Sequence, residues 1–244
     1  MKAIIFAAGL GTRLKPVTDN IPKALVPVGG KPLLWHVIHK LQQAGVDHFV
    51  VNVHHFAGLI ADYIRQEDWN GAVIELSVEE ERPLETGGGI RKAAELLQGS
   101  GCFFAHNVDI LSNADLPALA AAARPDALAT LLVSSRQTQR YLLFDSEMRL
   151  VGWTNIATGE VRSPYRDLRI EECSKYAFAG IHYISDKILP LLQQMPDRFS
   201  IMDFYLQVAD RIPIYGYAPQ GLQILDVGKP ETLSKARALF KENG

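Results

Sequence analysis

Over the first 134 residues, short apolar runs alternate with stretches whose apolar residues recur every three or four positions, and few folds accept that order. Residues 2–8 form the first run and stop at Gly9, as a strand buried on both faces does. From Pro32 onward, Leu34, Val37, Ile38 and Leu41 have the spacing of one helix face, and Gly45 closes the segment. Further strands are predicted over 46–53, 73–78, 102–110 and 127–134, with helices over 56–64, 90–97 and 116–124 between them. Strands separated by helices of this length imply right-handed crossovers. The expected class is α/β, with a Rossmann-like mixed, mainly parallel sheet and helices on both faces. Ligands in such sheets bind beyond the carboxyl ends of the strands, which singles out the loops after residues 8, 78 and 109.

Beyond residue 135 the order changes. A hairpin is predicted over 141–145 and 148–153, a polar irregular stretch over 154–175, and a strand over 176–184. Helices over 186–195 and 200–210 follow, the second with Ser200 and Asp203 at capping-box spacing. Strands near 213–218 and 222–227 precede a last helix from Pro230 to about 241. With no repeat and no Gly/Pro/Ser-rich linker, the expectation is one domain spanning 1–244.

Composition narrows the partners. Lys+Arg total 25 against 27 Asp+Glu, a net charge of −2, which lacks the basic excess that nucleic acid or an anionic membrane requires. A small phosphorylated substrate needs only a few local cations. Cys102 and Cys173 lie far apart without CxxC spacing, so neither a disulfide framework nor a zinc site is expected, and a reducing cytoplasm is the simplest location. The apolar run 3–8 is too short for a signal peptide or a membrane span.

The chemistry concentrates in three places. After the first strand comes Ala8-Gly9-Leu10-Gly11-Thr12-Arg13-Leu14-Lys15-Pro16, where two glycines let backbone N–H groups approach an anion and Arg13, Lys15 and Lys23 add charge. A dinucleotide fingerprint fails here, because its third glycine position is Leu14 and Pro16 blocks an immediate helix; a P-loop fails at Pro32. Leu84-Glu85-Thr86-Gly87-Gly88-Gly89 precedes the predicted 90–97 helix and would offer a backbone shelf at its N-terminus. Asp109 and Asp226 each end an apolar strand; two carboxylates converging on a phosphate site point to Mg²⁺, which takes few protein oxygens plus substrate phosphates. His54-His55, His36, His39 and the Glu79-Glu80-Glu81 run read as junction or solvated surface, although Glu79 or Glu80 could reach a ribose or base.

The ordered set Ala8-Gly9-x-Gly11-Thr12-Arg13-Leu14, Pro22-Lys23, Leu84–Gly89, Asp109 and Asp226-Val227-Gly228 resembles the sugar-1-phosphate nucleotidylyltransferase family, over nearly the whole chain. Its form is similar to N-acetylmuramate-1-phosphate uridylyltransferases and mannose- or heptose-1-phosphate guanylyltransferases. The resemblance implies transfer of a nucleotidyl group from a nucleoside triphosphate to a sugar 1-phosphate, giving a nucleoside diphosphate sugar and pyrophosphate. It implies a nucleotide-binding half (1–135) and a sugar-binding half (136–244). Ala8, Gly9 and Gly87 would line the base, with Gly11, Thr12 and Arg13 on the triphosphate. Lys23 would meet the phosphates near the reacting centre, Asn107 and Gly180 the sugar, and Asp109 with Asp226 would hold Mg²⁺; Arg13, Lys23 and Asp109 are the implied catalytic set.

Two departures from the family pattern stand out. Val108 occupies a position usually glycine, where a side chain would crowd the sugar. The sugar-contacting Glu-Lys-Pro segment is replaced by residues 170–175. The polar stretch with Arg162, Arg166 and Arg169 is expected to form a lid over the sugar. No hexapeptide-repeat domain follows residue 244, so the bifunctional acetyltransferase form is not expected. Competing readings are a non-catalytic nucleotide-sugar sensor on this scaffold and a metal-dependent glycosyltransferase, of whose Asp-x-Asp motif Asn107-Val108-Asp109 is half.

Overall fold

Strand β1 (Lys2–Phe6) shows why its run is apolar throughout: Ala3 and Ile5 enter one core layer and Ile4 the other, all fully buried. The computed structural model describes residues 1–241, with side chains through Ala238. β1 lies parallel between β4 (His48–Val53) and β6 (Cys102–Asn107), with Ile4 level with Val50 and Ala105. β5 (Val73–Val78) extends the parallel set beyond β4.

On one face lie α1 (Leu33–Gln43), α2 (Ala57–Gln66) and α5 (Leu116–Ala121). The other carries α3 (Glu85–Lys92), α4 (Ala94–Leu97), α6 (Ile188–Leu192) and α7 (Ile201–Val208). Short pairs β2 (Pro27–Val28) with β3 (Lys31–Pro32), and β7 (Ile110–Ser112) with β14 (Ile224–Asp226), stand off the main sheet.

The second half joins through β12 (Ser174–Ser185), which runs antiparallel to β6 and also pairs with β8 (Ala129–Ser134) and β9 (Arg140–Phe144). β9, β10 (Leu150–Asn155) and β11 (Glu160–Arg162) form an antiparallel meander, and β13 (Ile214–Tyr217) lies parallel to β8. Helix α8 (Pro230–Lys241) packs near β2 and β14. The sheet is thus mixed, parallel at the end that carries the glycine loop. Among the described residues, no helix is long and apolar enough to cross a membrane.

Several sequence expectations are corrected. The helix predicted over 90–97 begins at Glu85 and breaks at Ala93, so the three glycines lie inside its first turns. The strand predicted over 102–110 ends at Asn107, leaving Val108 and Asp109 in a turn before β7. The stretch 154–175 is not wholly irregular, since β11 pairs with β10 there. Ser200 caps α7 by accepting from Met202 N (3.2 Å), but Asp203 does not close a capping box; it pairs instead with Arg162 (2.7 Å).

Two histidines lie buried in the paired strands β6 and β12. Burial lowers His106 to about 4 and His182 to about 3. His182 Nδ1 is hydrogen-bonded to the fully buried Tyr205 hydroxyl at 2.9 Å. Both rings are neutral in the fold at pH 7, whereas the unfolded chain takes up a proton at each near pH 6.5. Stability is therefore full above that pH and falls as the pH drops toward the folded values, by about 1.4 kcal/mol per pH unit for each ring. The urea midpoint is expected to fall between pH 7 and pH 5, and His182→Gln to flatten that slope. A midpoint independent of pH across this range would mean that the rings take up protons in the folded protein as they do in the unfolded chain.

Candidate active site

The carboxyl edge of β1, β4, β5 and β6 encloses a cavity of about 280 Å³. Each strand contributes to it: Ala8 and Gly9 after β1, Asn52 on β4, Pro83 and Thr86 beyond β5, and Asn107 to Asp109 after β6. Its walls are mostly apolar, a surface suited to a planar base, with charge confined to the Lys23–Asp109 side and Glu85.

The glycine loop is held from both ends. Ala7 N donates to Asn52 O (2.8 Å), and Thr18 Oγ1 donates to Gly11 O (2.8 Å). Gly11 has φ +65, a conformation that favours glycine, and an added Cβ would sit 3.0 Å from Thr18 Cγ2. A 3₁₀ turn at Thr12–Leu14 follows, ending before Pro16 as the sequence demands. The N–H groups of Gly9, Leu10 and Gly11 have no protein acceptor among the described residues, so they remain able to bind an anion. Thr12 and Arg13 are exposed beside them.

Lys23 is not free. Its ammonium pairs with Asp109, and both side chains are largely buried. Val227 N donates to Asp109 O (2.8 Å), and Asp226 is level with Ile110 in the β14–β7 pair. The two aspartates therefore stand on adjoining backbone at one edge of the fold. A Cβ placed on Gly228 would come within 2.6 Å of Asp226 Oδ1 and 3.0 Å of Arg13 Nη2, so carboxylate and guanidinium border the same small space. Asp226 Oδ1 is buried without a hydrogen-bond partner among the described residues. A buried, unpaired carboxylate oxygen is costly, and a cation is the natural group to satisfy it. With Asp109, whose carboxylate is paired with Lys23, nearby on the backbone, this fits Mg²⁺, which is typically held by one or two carboxylates with phosphates and water completing the shell.

Gly180 (φ +76) lies against the far side of this edge, where a Cβ would meet Ile110 Cγ1 at 2.8 Å and Asn107 Nδ2 at 2.9 Å. The segment 179–180 thus passes beneath Asn107. Val108 lines the cavity but is 4% exposed and belongs to the apolar cluster of Ile110, Ala179 and Ile181. Most of its bulk is spent in the core, not in the cavity.

The glycine triplet behaves differently from the sequence expectation. Gly87 N and Gly88 N both donate to Phe199 O (3.0 and 3.2 Å), so these amides offer no open shelf to a ligand. Their lack of side chains serves packing: a Cβ on Gly87 would fall 2.3 Å from Phe199 Cε2, and one on Gly88 would fall 2.5 Å from Asp197 O. Gly87 does not line the cavity; Glu85 and Thr86 do.

Other residues escaped the sequence reading. Glu79 is only 2% exposed, not part of a solvated run; it accepts from Asn52 Nδ2 and from Leu84 N, both 2.8 Å, and so fixes the loop before α3. Glu85 is held at φ +64 with its carboxylate on Arg198 (2.9 Å), a strained backbone at the cavity wall. Of the expected lid arginines, Arg166 and Arg169 line a separate hollow with Asp145 and Tyr165, and only Arg162 lines the hollow beside α7.

Residues 2–142 match the family described as nucleotidyl transferase. The N-acetylmuramate alpha-1-phosphate uridylyltransferase of Caulobacter vibrioides is 34% identical over 98% of this chain and 97% of its own length. The mannose-1-phosphate guanyltransferase of Candida albicans is 27% identical over 98% of this chain, which spans 64% of that longer protein. Among solved structures, HddC of Yersinia pseudotuberculosis superposes with a TM-score of 0.76 (22% identity; 98% and 99% of the two chains). The inositol-1-phosphate CTP transferase of T. maritima gives 0.77 (19%; 99% and 95%). At those identities the structural matches establish the fold.

Because a side chain at position 88 must displace backbone, Gly88→Ala is expected to cost about 1–3 kcal/mol. Denaturant unfolding measures it, and an unchanged midpoint would show that α3 can shift away from residue 197.

Proposed function

Because this chain belongs to the nucleotidyl transferase family, we propose that it transfers a nucleotidyl group from a nucleoside triphosphate to a sugar 1-phosphate. The products are a nucleoside diphosphate sugar and pyrophosphate. The observation that carries the reading is the Lys23–Asp109 pair on the wall of an apolar cavity, with Asp226, which borders Arg13, on the backbone that adjoins Asp109.

In this reading a phosphate oxygen of the sugar 1-phosphate bonds to the α-phosphorus, and the bond to the β-phosphate oxygen breaks with its electrons leaving on pyrophosphate. The nucleophile is already an anion at neutral pH, so no protein base is needed. The obstacle is repulsion: two unit charges 4 Å apart cost about 4 kcal/mol at an effective dielectric of 20. Arg13 and the free amides of Gly9 to Gly11 bind the triphosphate, and the apolar walls around Ala8 and Pro83 hold the base. Lys23, paired with Asp109 on the cavity wall, would offset the charge of both incoming anions. Asn107 and Gly180 would bound the sugar. Asp109 and Asp226 are the residues to hold Mg²⁺, which, when bound, neutralises phosphate charge and aligns the reacting oxygens. Catalysis is then alignment plus fixed opposing charge.

The residues up to 135 would serve the nucleotide and those from 136 onward the sugar, as parts of one cytoplasmic enzyme without a nucleic-acid or membrane partner. Pairs worth testing first are uridylyl with N-acetylmuramate and guanylyl with mannose, after the relatives' substrates. A panel of nucleoside triphosphates crossed with sugar 1-phosphates and Mg²⁺, read by pyrophosphate release, tests the whole reading. No release from any pair by the folded protein would reject it.

Asp109→Asn is expected to lower turnover at least about tenfold, or 1.4 kcal/mol in the barrier, with the far-UV circular dichroism retained. Normal pyrophosphate release would remove Asp109 from this role. Lys23→Ala is expected to raise the KM for the sugar 1-phosphate more than that for the triphosphate. Equal shifts would assign Lys23 to general anion binding.

A further inference from the structure

One residue of the cavity wall is strained. Glu85 opens α3 with φ +64, a left-handed conformation that residues other than glycine and asparagine adopt at a cost. Glu85 and Thr86 both line the cavity, and their amides donate to no acceptor among the described residues. What this wall presents to a ligand therefore depends on the direction in which residue 85 turns the backbone.

Residues 198–201 grip the wall position by position. Phe199 N donates to Leu84 O (3.2 Å), Ile201 N donates to Thr86 Oγ1 (3.0 Å), and Phe199 O accepts from Gly87 N and Gly88 N. None of these bonds uses the side chain of residue 198. Glu85 is gripped differently, by its carboxylate alone, which lies 2.9 Å from the Arg198 guanidinium. Neither side chain has another hydrogen-bond or ion-pair partner among the described residues. They are 54% and 42% exposed, for Arg198 and Glu85 respectively, and an ion pair so open to water adds little to the stability of the whole fold. Its leverage is local, because it acts on the one strained residue between neighbours that are fixed by other bonds.

We propose that Arg198 is a positioning residue for the nucleotide: by anchoring the Glu85 carboxylate it keeps residue 85 left-handed, and so holds the Glu85–Thr86 wall in the form that accepts the base. The proposal rests on the reading of this cavity as the nucleotide site given above. Without the anchor, residue 85 spends part of its time in the ordinary right-handed region with the wall turned away. The apparent affinity for the nucleotide then falls in proportion to the population lost.

The test uses the full-length protein with Mg²⁺. Triphosphate binding is measured by calorimetry without sugar 1-phosphate, using whichever of UTP, GTP, CTP and dTTP binds most tightly, and turnover is read by pyrophosphate release. Arg198→Ala is expected to weaken triphosphate binding about threefold to fivefold, as far as the loss of an exposed ion pair can shift such a balance. The KM for the triphosphate should rise with it, while kcat and the KM for the sugar 1-phosphate stay within about twofold. Arg198→Lys should keep part of the affinity. Adding Glu85→Gly or Glu85→Asn to Arg198→Ala should bring the affinity back, because both residues take up the left-handed conformation without an anchor.

Turnover with triphosphate affinity unchanged in Arg198→Ala would overturn the positioning role and leave the reaction standing. A loss that neither Glu85 substitution repairs would overturn it as well, with Arg198 then touching the triphosphate itself. So would a fall in kcat and thermal midpoint together, the sign of a general loosening of α3. Binding that falls with Arg198→Ala and returns with Glu85→Gly, without any pyrophosphate release, would keep the role and reject the reaction. Folded protein that binds none of the four triphosphates would reject both.

Discussion

A small apolar cluster outside the two main layers holds the site together. Leu14, Val26, Val28, Leu33, Val227, Leu233 and Ala236 pack where the glycine loop, the start of α1, β14 and α8 meet. These residues are scattered from position 14 to position 236, so the cluster forms only when the chain's two ends close on each other. Leu14 is the neighbour of Arg13, and Val227 of Asp226. Burying those two apolar side chains in one cluster therefore brings a guanidinium and a carboxylate to the same edge. Fully burying a leucine or valine is worth about 1.5–3 kcal/mol, more than an exposed ion pair supplies. Hydrophobic packing sets the position, and the charges are carried along with it.

That division explains how the site tolerates its own electrostatics. Asp109 and Asp226 would repel each other if brought together by charge alone. Their approach is imposed by backbone: the β7–β14 pair and the Val227 N–H to Asp109 carbonyl bond. Lys23 then offsets Asp109, while Asp226 keeps one buried oxygen unpaired. An unpaired acceptor held by packing costs stability, and in the function proposed above a bound cation would offset that cost at a position the fold has already set.

The sequence made the scaffold legible where one physical cause dominates. β1 and β4 are buried on both faces, which leaves continuous apolar runs, and α1 is amphipathic between Pro32 and Gly45; these are local properties of a few residues. The glycine loop was legible for the same reason, because Gly11 needs φ +65 and Pro16 stops a helix. Features set by distant partners were not legible. Glu79 looked like one of three solvated acids, but Asn52 and Leu84, on neighbouring elements, remove it from water. The antiparallel course of β12 depends on its pairing with β6, β8 and β9, which no periodicity within 174–185 reveals. Arg136, Arg140 and Arg162 are likewise apart in sequence and line one hollow only because the meander packs beside α7.

The glycine triplet separates two reasons for the same residue. A glycine can be required because a ligand needs the backbone, or because a neighbouring side chain needs the space. The first reason demands amides without partners, as at Gly9 to Gly11; the second demands a close contact at the missing Cβ. At Gly87 and Gly88 the amides already donate to Phe199 O, and the absent side chains leave room for the Phe199 ring and the residue-197 backbone. The triplet thus acts on the cavity indirectly. It lets α3 sit tightly under the 197–199 segment, and that seating holds Thr86 and the strained Glu85 at the cavity wall, with Arg198 on the Glu85 carboxylate. Since Thr86 also accepts the Ile201 amide that starts α7, the same packing ties α3 to α7. A change in volume at Gly87 or Gly88 would therefore be felt both at the cavity wall and at the start of α7.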